Sequence, residues 1–427
     1  MNQRIIQVGE KVPLLQGFPL SLQHLFAMFG ASILVPTLFK IDPAIVLLMN
    51  GIGTLIYLVL CQGKAPAFLG SSFAFISPVL VVLGADQSLW GANYSYVLGG
   101  FIASGLIFSA VALIIGKFGS DWIKVVLPPA TMGPIVALIG LELAGVATGM
   151  AGIMPGADGS YAMDAIIVSM VTLLVVALGS VVFRGFLAVI PVLIGIIVGY
   201  VVALAMGMVD FTLISQAPAL SLPTFYVPKF DINTILVIIP ASLVVISEHI
   251  GHLVVTGNIV GRDLTKDPGL HRSLLGDGIS TTLSGFFGSV PVTTYGENIG
   301  VMAITRVYSV WVIGGAAILS IGLAFIGKMS AFIQSIPTPV MGGVCILLFG
   351  VIAASGIRML VETKVDYSKP SNLILTAIVF IVGLSGAAIN IGTVQLKGMA
   401  LGTVVGMGLS LVFHILERLG LSNQTSK

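Results

Sequence analysis

The chain has 427 residues, 57% hydrophobic and 8% charged, with a net charge of +2 and a mean hydropathy of +1.10. Soluble domains carry about 25% charged residues, so this composition excludes an ordinary water-facing surface, and the near-neutral balance points to no nucleic-acid partner. Cys61 and Cys345 are isolated and form neither a disulfide framework nor a metal-ligand spacing.

Apolar runs near 20 residues are long enough to cross a hydrocarbon core of about 30 Å, and they recur from end to end. In chain order they predict fourteen segments, near 17–38, 43–61, 66–84, 92–116, 125–149, 163–182, 186–207, 232–257, 271–288, 291–305, 308–327, 334–356, 371–388 and 396–416. The first follows a polar stretch and lacks a small-residue cleavage site, so it is expected to remain as a span. The third and tenth are short and rich in Gly, Ser, Pro and Thr, and are read as interrupted. Thr212 to Lys229 is polar and proline-punctuated, and is read as an external loop joining two halves.

Cytoplasmic loops carry an excess of Lys and Arg. With the N-terminus inside, 15 of the 19 basic residues, from Arg4 to Lys427, fall on internal segments, leaving Lys40, Lys229, Lys328 and Lys397 outside. Both termini are therefore expected in the cytoplasm.

The halves echo each other. Phe68-Leu69-Gly70-Ser71 resembles Phe286-Phe287-Gly288-Ser289, and Pro128-Pro129-Ala130-Thr131-Met132-Gly133 resembles Pro337-Thr338-Pro339-Val340-Met341-Gly342, at offsets of 218 and 209. Segments three and ten, and five and twelve, are each seven apart, so the halves would insert in opposite orientations. Inverted repeats with broken segments mark secondary transporters whose sites lie near the midplane. Ser71–Pro78 and Ser289–Gly300 become the two sides of one expected site. Non-helical backbone survives at that depth only where protein or a wet cavity satisfies it. Two short extended pieces would pair with each other, and a helix starting after each would aim free N–H groups at what lies between.

Ionisable residues inside a membrane are functional candidates. Glu248 and His252 in the eighth segment are four apart and share a helix face, which Thr256 is expected to continue. A carboxylate and an imidazole so placed can exchange a proton at physiological pH; the structural alternative is a buried pair that fixes helix packing. Glu297 follows Gly296 at the start of the second half-helix, as a first-turn cap or as a site residue. His249 points about 100° from Glu248 and is read as structural. Glu142 and Asp277 are expected to hydrogen-bond across helices, and Gln23 and His24 to stand behind the site. No His-Glu-x-x-His helix and no Gly-rich P-loop occurs, so neither a metal, a cofactor nor ATP is expected, and the chain is not read as an enzyme.

Glu297-Asn298-Ile299-Gly300-Val301-Met302-Ala303-Ile304-Thr305-Arg306 resembles the signature of the nucleobase–ascorbate transporter family: Gln, Glu or Pro, then Asn-x-Gly, four free positions, Thr, and Arg, Lys or Gly. With Glu248-x-x-x-His252 and Gln23-His24, the resemblance covers essentially the whole chain and is strongest to the uracil:proton symporter branch. It implies an all-α polytopic fold of fourteen spans as two inverted repeats of seven, with short antiparallel strands in segments three and ten. It implies a core domain from 15–118 and 230–330, a gate domain from 122–210 and 333–420, and a homodimer in the lipid bilayer. It further implies that Glu248 and Glu297 accept from uracil N–H groups, that Phe73 and Gly296 donate backbone N–H groups to its carbonyls, and that His252, with Glu248, couples the proton. Tyr295 and Phe73 would add ring packing, with Gln23, His24, Asn298 and Thr256 behind them. Purine members of the family have Gln at the Glu297 position and Asp at the His252 position. A purine permease or a passive nucleobase facilitator is the alternative. Phe349 departs from the Tyr expected in uracil relatives.

Overall fold

The structure is a computed structural model, described here for residues 5–156, 159–391 and 394–422. Arg4 and Lys427, which entered the charge argument, lie outside the described residues. The principal helices are α1 (Leu14–Phe39), α2 (Pro43–Leu60), α3 (Ile76–Leu83), α4 (Trp90–Phe118), α5 (Pro129–Glu142), α6 (Met163–Val182), α7 (Pro191–Ala205), α8 (Pro240–Val260), α9 (Leu270–Phe287), α10 (Gly296–Thr305), α11 (Val310–Ala324), α12 (Thr338–Glu362), α13 (Pro370–Leu384) and α14 (Gly398–Arg418). Helices α2, α5, α7, α8, α12 and α13 carry Pro in the first turn, where its missing N–H costs no bond. Asp42 also caps α2, its side chain accepting from Ala44 N at 2.9 Å.

Among the described residues, eight helices are long and apolar enough to cross a membrane, or nine if the bent pair Val310–Ala324 and Gly327–Gln334 is one span. This is a multi-pass membrane protein. The number falls below the fourteen segments for two physical reasons. Helices α7 and α13 have 15 residues each, while α3 and α10 have 8 and 10 because strands precede them. Helix α9 is long enough but bears His271, Arg272, Asp277 and several hydroxyls, tolerable because α2 and α4 enclose it.

Helices α1, α2, α4, α9 and α11 pack together, and α5, α6, α7, α12, α13 and α14 form a second group; α8 touches both. Close approach within each group rests on glycine. A Cβ on Gly278 of α9 would strike Ser109 of α4, and one on Gly356 of α12 would strike Ala137 of α5.

Strands β1 (Leu69–Ser71) and β2 (Val292–Thr294) pair antiparallel, with Leu69 opposite Thr294, Gly70 opposite Thr293 and Ser71 opposite Val292. Ser72 N to Pro291 O (2.8 Å) and Tyr295 N to Phe68 O (3.1 Å) extend the ladder. The two sequence echoes fare differently. Pro128 and Pro337 both stand at extended N-cap positions, of α5 and α12. Gly70 and Gly288 do not correspond: Gly70 lies inside β1, whereas Gly288, at φ 88, ends α9 with the left-handed turn glycine favours. The partner of β1 starts four residues beyond Gly288.

A second antiparallel pair, β3 (Ala388–Ile391) with β4 (Val394–Lys397), corrects the all-α expectation. Its Ile-Asn-Ile and Val-Gln-Leu-Lys alternation is a strand signal that the flanking apolar segments masked. The stretch read as an external loop is irregular except for a short helix, Thr212–Gln216, and Asp42 pins it by accepting from Thr224 N at 2.8 Å.

Candidate functional site

A cavity of about 250 Å³ lies where the two strands give way to their helices. Ser71, Phe73, Glu248, His252, Thr293, Tyr295, Gly296 and Glu297 line its deep end, and Val255, Ile259, Ala303, Ser355, Arg358 and Glu362 lead away from it. The latter lie near the C-terminal ends of α8, α10 and α12, so the cavity opens toward one end of the molecule.

The backbone follows from the sequence punctuation. Ser72 is extended (φ −74, ψ 123) before the single turn Phe73–Phe75 that leads into α3, and Tyr295 is extended (φ −89, ψ 130) before α10. The first N–H groups of each helical stretch have no intrahelical partner, and both starts, at Phe73 and Gly296, line the cavity. Each adds the positive end of its helix dipole. Glu297 sits in the first turn of α10.

Glu248 is 9% exposed, and its Oε2 has no hydrogen-bond partner among the described residues. An unsatisfied buried charged acceptor costs more than the roughly 1–3 kcal/mol of a neutral group, so it calls for a ligand that donates. His252 is oriented from behind: its Nδ1 lies 2.7 Å from Thr294 O and 3.3 Å from Thr294 Oγ1. A carbonyl only accepts, so Nδ1 bears the hydrogen, leaving Nε2 to titrate. Nε2 faces Gly296, where a Cβ would stand 3.3 Å from it. Strand β2 thus sets the tautomer of a residue on α8.

Aromatic rings wall the deep end. Phe73 stacks against Tyr295 (centroids 6.2 Å apart, 28° between planes) and meets Phe349 of α12 edge-on (6.0 Å, 76°). The Tyr295 ring lies over Gly70, where any Cβ would collide with it. Phe349 therefore touches the site through Phe73.

The remaining expected residues lie behind the cavity. His24 Nδ1 is 3.0 Å from Asn298 Oδ1, tying α1 to the residue after Glu297. Gln23 is buried but does not line the cavity. Thr256 is also buried and off the cavity. At 3.6 residues per turn it stands about 80° from Glu248, and the face runs instead through His252, Val255 and Ile259.

On the other side of α8, His249 Nδ1 lies 2.7 Å from Asp277 Oδ2, and its Nε2 is 2.8 Å from Ser273 Oγ. Asp277 also accepts from Thr293 Oγ1 at 3.2 Å, so this enclosed network braces β2. Glu142 bonds across helices as expected, to Ser77 Oγ (2.6 Å) and Met399 N (2.7 Å).

Sequence reading missed Arg358 and Glu362 as cavity residues, and reached Ser71 and Thr293 only through the ranges Ser71–Pro78 and Ser289–Gly300. Arg358 Nε and Glu362 Oε1 are 2.6 Å apart at the mouth. Their i, i+4 spacing was the available signal, but the predicted twelfth segment ended before them. Ser71 and Thr293 carry no signal beyond lying in the interrupted segments.

A family model described as "Permease family" (Xan_ur_permease) matches residues 15–392. The chain is 61% identical over 417 residues to the uracil permease of Escherichia coli (strain K12), covering 98% of this chain and 96% of that protein. It is 59% identical over 427 residues to the uracil permease of Paenibacillus larvae, covering 99% and 100%, and 47% identical over 419 residues to that of Bacillus caldolyticus, covering 96% and 95%. Among solved structures, the murine Solute Carrier 26 family member A9 anion transporter superposes with a TM-score of 0.73 at 11% identity, over 96% of this chain and 70% of that one. The transmembrane domain of the cyanobacterial bicarbonate transporter BicA superposes with a TM-score of 0.58 at 12% identity, over 98% and 100%. At these identities the structural likeness is one of fold alone.

Proposed function

The chain belongs to the Permease family of nucleobase–ascorbate transporters, and from that premise we propose that it is a proton-coupled uracil symporter. It is a transporter rather than an enzyme. The observation that carries the reading is the donor and acceptor pattern of the cavity. Glu248 and Glu297 supply carboxylate acceptors, one with an oxygen lacking any partner among the described residues, and the helical starts at Phe73 and Gly296 supply backbone donors. A uracil ring presents two N–H groups and two carbonyl oxygens, the complement of that set. The cavity's 250 Å³ lies just below the roughly 300–1,000 Å³ range of ordinary ligand sites, which suits a single ring. The uracil permeases at 47–61% identity support the same substrate.

Proton coupling is assigned to Glu248 and His252. They lie one turn apart on α8, and the Nδ1 bond to Thr294 O leaves His252 Nε2 free to take a proton. A proton taken at His252 Nε2 leaves Glu248 ionised as the acceptor for a uracil N–H, so proton and base are carried together and the two fluxes are linked.

The wider architecture belongs to this proposal too. Fourteen segments form two inverted repeats of seven, each contributing one strand and half-helix to the site. The helix groups around α4–α9 and α5–α12 act as core and gate, and alternating access moves one against the other. With both termini in the cytoplasm of a bacterial cell, across its inner membrane, the mouth at Arg358 and Glu362 faces inward. The functional particle in the bilayer is a homodimer.

The test is uptake of labelled uracil by vesicles under an imposed inward-acid or outward-acid gradient, with competition by xanthine and hypoxanthine. Accumulation that follows the proton gradient and is displaced by unlabelled uracil, but not by purines, is expected. Indifference to excess uracil would sink the substrate, and equilibration without accumulation would sink the coupling.

A further inference from the structure

Glu142 is a buried-edge carboxylate that the uracil site does not use. Helix α5 brings Val136 to the cavity, but Glu142, six residues on, lies beside Pro240 at the start of α8. The cavity mouth is near the far end of α8, about 30 Å along a 21-residue helix. Glu142 therefore stands at the end opposite the opening.

Two different elements hold its two oxygens. Oε2 accepts from Met399 N at 2.7 Å, in the first turn of the 21-residue α14, where the helix dipole favours an anion. Gly398, at φ 56, makes room: a Cβ there would lie 2.5 Å from the carboxylate carbon and from both oxygens. That side is a built seat. Oε1 accepts from Ser77 Oγ at 2.6 Å. Ser77 is the second residue of α3, the short half-helix that follows Phe73, and α3 otherwise packs on α4 and on the helix Ile232–Ile238. A void of about 50 Å³ adjoins the joint, so a hydrogen bond rather than close packing spans it.

We propose that Glu142 is a positioning residue of the transport cycle: seated on α14, it latches α3 through Ser77 and holds closed the end of the molecule opposite the cavity mouth. The inference rests on the alternating-access reading given above. Opening that end separates α3 from α5 and α14, so the Ser77 bond breaks while the bond to Met399 N persists. Because Ser77 is four residues from Phe73, the same bond sets where the first half-helix presents its donors.

The experiment measures solvent access at both ends in the full-length protein in membrane vesicles, without substrate. Cys61 and Cys345, both buried, are replaced by Ala. A single reporter is then introduced, either Ala241→Cys, buried beside the joint, or Ser355→Cys, exposed at the mouth. A small hydrophilic maleimide labels them. Ser77→Ala keeps the Glu142 seat but removes the latch, and is expected to speed labelling at position 241 by about tenfold, the scale of one hydrogen bond to a charged group, while slowing it at position 355. Ser77→Thr, which restores a hydroxyl, returns both rates toward the parent. Glu142→Gln keeps shape without charge and gives an intermediate change. Unchanged labelling at position 241, or a parallel rise at both positions, overturns the latch. Because no substrate is present, a failed uracil uptake assay bears on the substrate and not on this result.

Discussion

The two strand-to-helix units, β1 with α3 and β2 with α10, are built alike and equipped differently. Both leave an extended residue for a helical start at the cavity, and their strands pair residue for residue. The first offers backbone and a ring, Phe73. The second adds a carboxylate, Glu297, braces it through Asn298 to His24, and fixes the imidazole of His252 through Thr294 O. Shared backbone geometry thus makes a generic polar pocket, and the unequal side chains give it direction and chemistry.

That inequality can be broken from its strong side first. Replacing Glu297 or Glu248 by Ala is expected to weaken equilibrium uracil binding by about tenfold to a hundredfold, the roughly 1.5–3 kcal/mol of a charge-assisted hydrogen bond, as read by calorimetry in detergent. Near-parent affinity in either variant would remove that carboxylate from the site. His252→Ala is expected to lower gradient-driven uptake by about a hundredfold, the scale of a proton-transfer group at the low end, with binding much less affected. An equal loss of binding and uptake would show that His252 holds substrate rather than moving a proton.

The weaker unit is probed through its fit. Gly70→Ala forces a methyl group into the Tyr295 ring, and overpacking of this kind costs about 1–3 kcal/mol; a lowered Tm is the expected readout, and an unchanged one would mean that Tyr295 swings aside freely. The smallest effect is expected from His24→Ala. It removes one 3.0 Å bond behind Glu297, worth about 1 kcal/mol, and a fivefold loss of affinity without a change in coupling is the expected result.

How far the sequence could be read depended on the kind of signal. Glu248, His252 and Glu297 stood out because ionisable residues are rare in this chain and two of them sit at helical spacing. The interrupted stretches within Ser71–Pro78 and Ser289–Gly300 were equally legible, since proline and glycine act locally. Thr256 does not continue the Glu248 face because a four-residue step overshoots a 3.6-residue turn, and two such steps rotate a side chain off that face. The Gly70 and Gly288 echo misled for another reason. Glycine answers to φ and to space, and here one copy yields to the Tyr295 ring while the other ends a helix.

By itself the sequence determined the bilayer as solvent, the interrupted segments, the acidic and imidazole groups, and, through the ten residues from Glu297, the family. Each is a property of composition or of neighbours along the chain. Only the tertiary structure decided that Glu248 Oε2 is buried without a partner among the described residues, which nitrogen of His252 faces the cavity, and that Glu142 on α5 meets both Ser77 and the start of α14. The contacts of His252 and Glu142 join residues 42 to 257 positions apart, and no local pattern encodes such a meeting; it follows from how the helices pack.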